Sequence, residues 1–209
     1  MFFKQCNNGN YKKGRTQRIE YIVIHYTANN GDTARNNLNY FANNICKSSA
    51  HYFIDENEIC QSVKDNDIAY HCGANKYIHS YCRNSNSIGI EMCSRKNSLG
   101  KYYIKDETIK NTVKLVKELM KKYNIPLGNV IRHYDVTGKK CPLPMVENIK
   151  LWGDFKNMLK EENNNKCSCA EFEEAKNYLV KLGITDGSNP QEKITREQVW
   201  TMIYRLCKK

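Results

Sequence analysis

The sequence lacks several features that would have settled its class at once. Its longest apolar run of note is residues 21–24, whereas a membrane-spanning helix needs about 20 apolar residues. The N-terminus has no apolar core of the kind that secretory signals carry. No Cys-x-x-Cys pair points to a zinc finger, and no Gly-x-Ser-x-Gly elbow points to a serine hydrolase. We therefore expect a protein that is made in a cytoplasm and is not inserted into a membrane.

Positive charge is in excess, and it is unevenly distributed. The 209 residues include 33 Lys and Arg against 22 Asp and Glu, for a net charge of +11. The first 166 residues hold 26 of the basic and 16 of the acidic side chains. A basic main domain favours a polyanionic partner, either nucleic acid or a bacterial wall with phosphate-bearing polymers. Solubility combined with a lysine-rich codon bias accounts for the same excess.

Short apolar runs that alternate with helical patterns predict an α/β fold. The runs predicted as strands are residues 20–25, 51–54, 59–63, 87–92 and 130–133, of which 51–54 and 59–63 form a hairpin. Helices are predicted after a cap at Asp32 or Thr33, at 106–123 with Asp106 as cap, and at 151–159. Residues 1–18 are polar and predict an irregular arm. Together these patterns predict a mixed central β-sheet flanked by helices.

A stretch without apolar residues, 161–166, predicts a linker between a main domain at 1–160 and a small helical domain at 167–209. In this tail, Gly183 predicts a helix end, and Thr195 with Gln198 forms a capping-box pattern that opens a second helix. About 43 residues are too few for a robust core. We therefore expect the tail to pack on the main domain or on another copy of the chain.

One set of residues has the composition of a metal site. His25 and His133 each end a predicted strand, and Cys141 follows His133 across a glycine-containing loop. Two imidazoles and one thiolate make a three-ligand zinc set that leaves one position open, as in catalytic zinc sites. Any single histidine is more often an ordinary core or surface residue, so the spacing alone leaves both interpretations open. The other nine cysteines are expected to be mostly reduced thiols.

Five blocks of the sequence, in order, resemble the type 2 N-acetylmuramoyl-L-alanine amidases. They are YIVIHYTA at 21–28, SAHYFID at 49–55, AYHCGA at 69–74, NSIGIE at 86–91 and HYD with KKCP within 133–142. The resemblance covers about residues 18–159. The family includes phage endolysins, bacterial amidases and peptidoglycan-recognition proteins. It implies a mixed sheet flanked by helices, with zinc at one end of a substrate groove.

The resemblance also implies roles for individual residues. These are zinc ligation by His25, His133 and Cys141, catalysis by Glu91 and Lys139, and substrate contacts by His71 and Asn86. Relatives that only bind peptidoglycan typically lack the third ligand, so Cys141 favours an enzyme. Ala50 stands where some phage members carry a catalytic tyrosine. Glu91 is therefore the expected acid–base group, with Tyr52, expected on the same face as Ala50, in reserve.

The sequence thus predicts a zinc amidase that cleaves the bond between N-acetylmuramic acid and L-alanine in peptidoglycan. A phage endolysin that a holin releases is favoured over a bacterial autolysin. The alternatives are a recognition protein without catalysis and a basic nucleic-acid-binding protein, which no motif supports. The tail resembles one S-layer-homology-like repeat, which predicts binding to a wall polymer or oligomerisation through the tail.

Overall fold

The computed structural model describes residues 1–160, 169–188 and 195–208. The chain divides into two compact units, Met1–Lys160 and Glu161–Lys209. The linker predicted at 161–166 and the cysteine at 167 lie outside the described residues. The assignment of 1–160 and 167–209 as functional domains stays a prediction.

The first unit alternates short strands and helices. Its strands are β1 (Phe2–Phe3), β2 (Tyr11–Lys12), β3 (Tyr21–Tyr26), β4 (Tyr52–Ile54), β5 (Ile59–Gln61), β6 (Ile68–Ala69), β7 (Ser87–Met92), β8 (Arg95–Lys96), β9 (Tyr102–Tyr103) and β10 (Val130–Arg132). Its helices are α1 (Ala34–Asn43), α2 (Asp106–Tyr123), α3 (His133–Thr137), α4 (Leu143–Glu147) and α5 (Ile149–Lys160).

A six-stranded sheet forms the centre, in the order β1-β5-β4-β7-β3-β10. The hairpin of β4 and β5 is antiparallel, as predicted, and the other neighbouring pairs are parallel. The predicted mixed sheet flanked by helices is confirmed. Because β3, β7 and β10 run parallel, their carboxyl ends meet at one edge, and His25 of β3 lies beside Glu91 of β7.

The two faces of the sheet differ in what covers them. Side chains alternate along a strand, so Ile22, Ile24 and their counterparts in β7 pack into the main apolar core with α2 and α5. His25 and Glu91 point to the opposite face. Helix α2 has the predicted bounds, but Lys105 occupies the N-cap position, so Asp106 is the first helical residue and not the cap.

The N-terminal arm is more regular than its polar composition predicts. Strand β1 adds an edge to the sheet, and β2 pairs with β6. Between them lies Asn10, which is fully buried. Its amide donates to the carbonyls of Phe41 and Asn44, and its carbonyl oxygen accepts from the N–H groups of Cys46 and Lys47. The prediction of an irregular arm was wrong because β1 and β2 pair with strands that lie far away in the sequence, and the polar composition of the arm does not reveal such pairing.

Tyr52 does not share a face with Ala50. It belongs to the main core beside α2, whereas Ala50 packs in the separate cluster on the other face. The hydroxyl of Tyr52 donates to Asp65 Oδ1 at 2.5 Å. Tyr52 is therefore committed to a buried hydrogen bond on the far side of the sheet, and the expectation that it stands in reserve for Glu91 was wrong.

Asp65 is a buried carboxylate held by several donors. Besides Tyr52, it accepts from Lys122 Nζ at 2.8 Å and Tyr123 Oη at 2.6 Å. Burial by itself would raise the pKa of Asp65, but these hydrogen bonds outweigh it and hold the pKa below its ordinary value. The group therefore stabilises the fold while it is ionised.

Replacing Asp65 with asparagine should destabilise the fold by roughly 1.5–3 kcal/mol at neutral pH, the usual range for hydrogen bonds to a charged group. Because the folded pKa is depressed, this stabilisation is present above the unfolded pKa of about 3.9 and is lost as pH falls through the folded value. Urea unfolding of wild type and Asp65→Asn should therefore converge in acid. Asp154→Asn is the control: this carboxylate is 47% exposed in its pair with Lys150 and should contribute under about 1 kcal/mol. Equal losses in the two variants would contradict the prediction.

The second unit contains α6 (Cys169–Lys181) and α7 (Arg196–Cys207) among its described residues. Gly183 has a φ of +63° and follows the end of α6, as predicted. Thr195 and Gln198 form the predicted capping box of α7. Within the described part of the chain, no helix has the length and apolar character needed to cross a membrane.

Candidate active site

Two strand ends bring the histidines of the site together. His25 lies near the end of β3, and His133 directly follows β10, the neighbouring strand, as the first residue of α3. Their ring centroids are 4.6 Å apart. Both side chains are buried, at 1% and 6% exposure. The sequence predicts that each histidine ends a strand, and the structure places His25 one residue before the end of β3 and His133 one residue after the end of β10.

A tight loop returns Cys141 to the histidines. Helix α3 ends at Thr137 and is capped by Gly138, whose φ of +82° lies in the left-handed region that favours glycine. The N–H of Tyr134 donates to the carbonyl of Cys141 at 2.8 Å, which closes the loop. As a result, Cys141 Sγ lies 3.7 Å from His25 Nδ1.

The three side chains fit a tetrahedral metal. Their ligand atoms lie within 4.8 Å of one another. Zinc bound at about 2.3 Å to sulfur and about 2.0–2.1 Å to nitrogen would hold two such atoms roughly 3.5 Å apart, close to the distance between Cys141 and His25. His133 Nδ1 is buried and has no hydrogen-bond partner within the described residues. An unpaired buried nitrogen beside a thiol is the arrangement expected where a metal takes the lone pair.

The protonation states of the triad also suit a metal. Burial, reinforced by the neighbouring His133 and His71, lowers the pKa of His25 well below its ordinary value. Burial and the ammonium of Lys139 lower the pKa of His133 to about 4. Both imidazoles are therefore neutral at pH 7. Burial raises the pKa of Cys141 to about 12, so a metal must displace the thiol proton when it binds.

Glu91 lies beside the triad on the next strand. Its Oε1 is 4.0 Å from His25 Nδ1, and its Oε2 is buried without a partner in the described structure. Burial raises the pKa of Glu91 to about 8, with Lys139 acting in the opposite direction. A carboxyl group whose pKa is moved toward neutrality, with an oxygen free of partners, is suited to exchange protons with a reacting molecule.

An open groove gives access to these groups. It has a volume of about 830 Å³, and its lining includes the triad and Glu91. A second cavity of about 550 Å³ adjoins it, and His71, His133 and Lys139 line both. The two cavities extend in different directions from the triad, one toward α1 and one toward Gly73 and Asn84. This shape suits an extended substrate whose central part lies at the triad.

The structure separates the two predicted substrate contacts. His71 lines both cavities, and its Nδ1 is 3.1 Å from His25 Nε2. Asn86 is 6% exposed and lines neither cavity. Its amide oxygen accepts from the N–H of Arg83, and its amide nitrogen donates to the carbonyl of Tyr81. This side chain therefore shapes the turn before β7, and its assignment as a substrate contact stays a prediction without support from the geometry.

Asn84 and Ser87 are residues of the site that sequence reasoning missed. The Asn84 side-chain oxygen accepts from the N–H groups of His71 and Cys72, and Asn84 also lines the smaller cavity. The Ser87 hydroxyl is 3.0 Å from His71 Nε2. In the sequence, Ser87 looks like an ordinary small residue of a predicted strand, so the sequence alone gives no sign of this contact.

Comparison with known proteins gives a consistent result. The sequence profile of the N-acetylmuramoyl-L-alanine amidases matches residues 15–144. The N-acetylmuramoyl-L-alanine amidase CwlL of Bacillus licheniformis is 36% identical over 158 residues, which are 71% of this chain and 42% of CwlL. A mutant endolysin from Bacillus subtilis has a similar structure, with a TM-score of 0.62 and 31% identity over 76% of this chain and 97% of that one. The catalytic domain of XlyA has a TM-score of 0.63 and 28% identity over the same shares of the two chains.

The match covers only part of the length of the curated relatives. The chain spans about half the length of the first two relatives, 42% of CwlL and 53% of a probable N-acetylmuramoyl-L-alanine amidase from Bacillus licheniformis. By contrast, it covers nearly all of the solved endolysin and catalytic-domain structures.

Proposed function

The chain belongs to the N-acetylmuramoyl-L-alanine amidase family, and from this premise we propose that it hydrolyses the amide bond between N-acetylmuramic acid and L-alanine in peptidoglycan. The observation that carries the proposal is the buried set of His25, His133 and Cys141 at the groove, with Glu91 beside it. These three residues would hold zinc. Zinc supplies Lewis-acid chemistry, polarising a carbonyl and making water a stronger nucleophile at neutral pH.

Glu91 moves the proton in this proposal. An amide is a poor electrophile, and its nitrogen leaves only after it is protonated. Glu91 Oε2 takes a proton from the attacking water and passes it to the nitrogen of L-alanine as the C–N bond breaks. Burial holds the pKa of Glu91 above its ordinary value, and a carboxyl group whose pKa is moved toward neutrality can both accept and release a proton.

Lys139 stabilises the charge that develops on the substrate. When the lactyl carbonyl carbon becomes tetrahedral, its oxygen gains negative charge, and a cation directed at it lowers the barrier. Lys139 lines both cavities beside His133, and its charge reaches Glu91 and both histidines strongly enough to shift their pKa values. The rest of the peptidoglycan polymer then lies in the two adjoining cavities.

The decisive experiment is digestion of purified peptidoglycan followed by mass analysis of the products. We expect new L-alanine amino termini without new reducing sugars. Products with new reducing ends would indicate a glycosidase. Binding to peptidoglycan without any cleavage would instead support the recognition protein, and salt-sensitive affinity for DNA would be needed to revive a nucleic-acid-binding role.

We further propose that the protein acts on the wall as a phage endolysin and that residues 167–209 add targeting. The overall family match to endolysin structures supports the first statement. For the second, the tail exposes apolar side chains, with Trp200 at 64% and Tyr204 at 58% exposure, and carries almost no net charge. Release by a holin and a tail-mediated oligomer remain predictions.

Removing the tail should slow lysis of whole cells while leaving the chemistry intact. A chain that ends at Lys160 should cleave soluble peptidoglycan fragments at near-normal rates, because the triad and Glu91 lie within Met1–Lys160. Its lysis of cells should fall, since losing a second contact lowers the effective concentration at the wall. Trp200→Ala in the full chain should act in the same direction without any deletion. Equal lysis by the truncated and full chains would show that the tail does not target.

A further inference from the structure

The metal-ligand candidate His25 is connected to a backbone carbonyl by a chain of hydrogen bonds. His25 Nε2 is 3.1 Å from His71 Nδ1, and His71 Nε2 is 3.0 Å from the Ser87 hydroxyl. That hydroxyl donates to the carbonyl of Arg83 at 2.6 Å. The sulfur of Cys72 also faces the hydroxyl, but at 3.9 Å. The much shorter contact assigns the hydroxyl proton to the carbonyl.

The carbonyl at the end of this chain determines where every proton lies. A carbonyl oxygen only accepts, so Ser87 uses its single proton there and its oxygen must accept from His71 Nε2–H. A neutral imidazole has one N–H, so His71 Nδ1 is an acceptor and takes the Nε2–H of His25. His25 Nδ1 is thereby left with a free lone pair. This is the nitrogen that faces Cys141 Sγ at 3.7 Å.

The position of His71 is itself built into the fold. The backbone N–H of His71 donates to the side-chain oxygen of Asn84 at 3.1 Å. Its ring lies directly against Gly89 in β7, where a Cβ would come within 2.4 Å of the ring. Since real Cβ contacts are never that short, a side chain at Gly89 would displace the ring from His25. The glycine in this strand therefore makes room for the hydrogen-bond chain.

We propose that His71 and Ser87 are positioning residues that fix the tautomer and orientation of His25 so that Nδ1 is presented to the metal. The proposal rests on the zinc site of the proposed function. It gives His71 a role beyond contact with substrate, and it gives a role to Ser87, which does not line the groove. Partners of this kind typically contribute 10–100-fold to metal affinity, because they hold the ligand ring in place and increase its basicity.

The first test reads the tautomer in metal-free protein. Long-range ¹H–¹⁵N NMR of the imidazoles should show His25 protonated on Nε2 and unprotonated on Nδ1, with His71 also protonated on Nε2. In Ser87→Ala the preference of His71 should weaken, and that of His25 should weaken with it. Ser85→Ala is the matched control, because Ser85 lies just before Ser87 in the chain and its hydroxyl donates to Gln17 and not to His71. A wild-type His25 that carries its proton on Nδ1 would overturn the proposal.

The second test measures the zinc dissociation constant by competition with a chromogenic chelator. His71→Phe keeps a ring but removes the acceptor, and we expect its Kd to rise roughly 10–100-fold. His71→Gln restores an acceptor oxygen and should recover part of the loss, which a purely structural role would not predict. Unchanged Kd values in folded His71→Phe and Ser87→Ala would overturn the proposal. If wild type binds no zinc, the proposed function fails, and the NMR experiment still decides the tautomer.

Discussion

Replacing Cys141 with alanine is expected to abolish both zinc binding and peptidoglycan hydrolysis. The thiol is one of three groups whose ligand atoms lie within 4.8 Å of one another, and two histidines alone make an incomplete catalytic zinc set. Loss of a direct ligand should exceed the roughly 10–100-fold loss of affinity that removing a supporting partner causes. Metal content by elemental analysis and turnover on purified peptidoglycan should fall together.

Two further variants show whether the loss is due to ligation. Cys141→Asp should keep part of the metal and activity, because carboxylate oxygens also bind zinc. Cys60→Ala is the matched control: Cys60 is fully buried in β5 and lies outside the triad, so this variant should lose some stability and keep its zinc. A strong chelator should inactivate wild type reversibly. Full activity of chelator-treated, metal-free protein would contradict the zinc mechanism.

The sequence predicts the fold well where a single periodicity decides the structure. Helix α2 has the predicted bounds because its apolar residues repeat at helical spacing and pack on one side of the sheet. Strand β3 is predicted because its buried centre is a continuous apolar run, and β7 is predicted because Ile88, Ile90 and Met92 alternate with other residues. In each case the burial of an apolar face determines the element, and the spacing of apolar residues in the sequence shows which face is buried.

Prediction fails where backbone geometry breaks the pattern. Strand β4 begins only at Tyr52, so Ala50 lies before the strand and its side chain does not follow the strand's alternation. Counting by twos from Ala50 therefore places Tyr52 on the wrong face. No side-chain pattern signals this strand boundary in advance.

The residues of the candidate site also divide into those that the sequence could predict and those that it could not. His25, His133 and Cys141 could be identified because zinc restricts its ligands to a few residue types, and the structure brings these three together. Ser87 could not be identified, since its contribution is one hydroxyl whose partners are a histidine 16 positions away and a carbonyl at Arg83. Residues that position the ligands of a metal are determined by the folded geometry, and they occur at no characteristic spacing in the sequence.

Replacing Glu91 or Lys139 should reduce turnover strongly while the metal stays bound. Glu91→Gln keeps the shape of the side chain but cannot take up a proton, and we expect kcat to fall roughly 10²–10⁴-fold. Lys139→Ala removes the cation near the reacting carbonyl and should lower kcat roughly 10²–10³-fold. Zinc content and binding to peptidoglycan should stay near those of wild type. The measurement is kcat on a defined soluble muropeptide, with metal content determined on the same samples.

Charge removal elsewhere provides the control for this comparison. Lys150 lies on α5, and its side chain is 82% exposed and pairs with Asp154. Helix α5 covers the face of the sheet opposite the triad. Lys150→Ala changes the net charge as Lys139→Ala does and should retain its kcat. If Glu91→Gln is fully active, another group must accept the proton. Among the groove residues His71 is then the next candidate, because Tyr52 is bonded to Asp65 on the other side of the sheet.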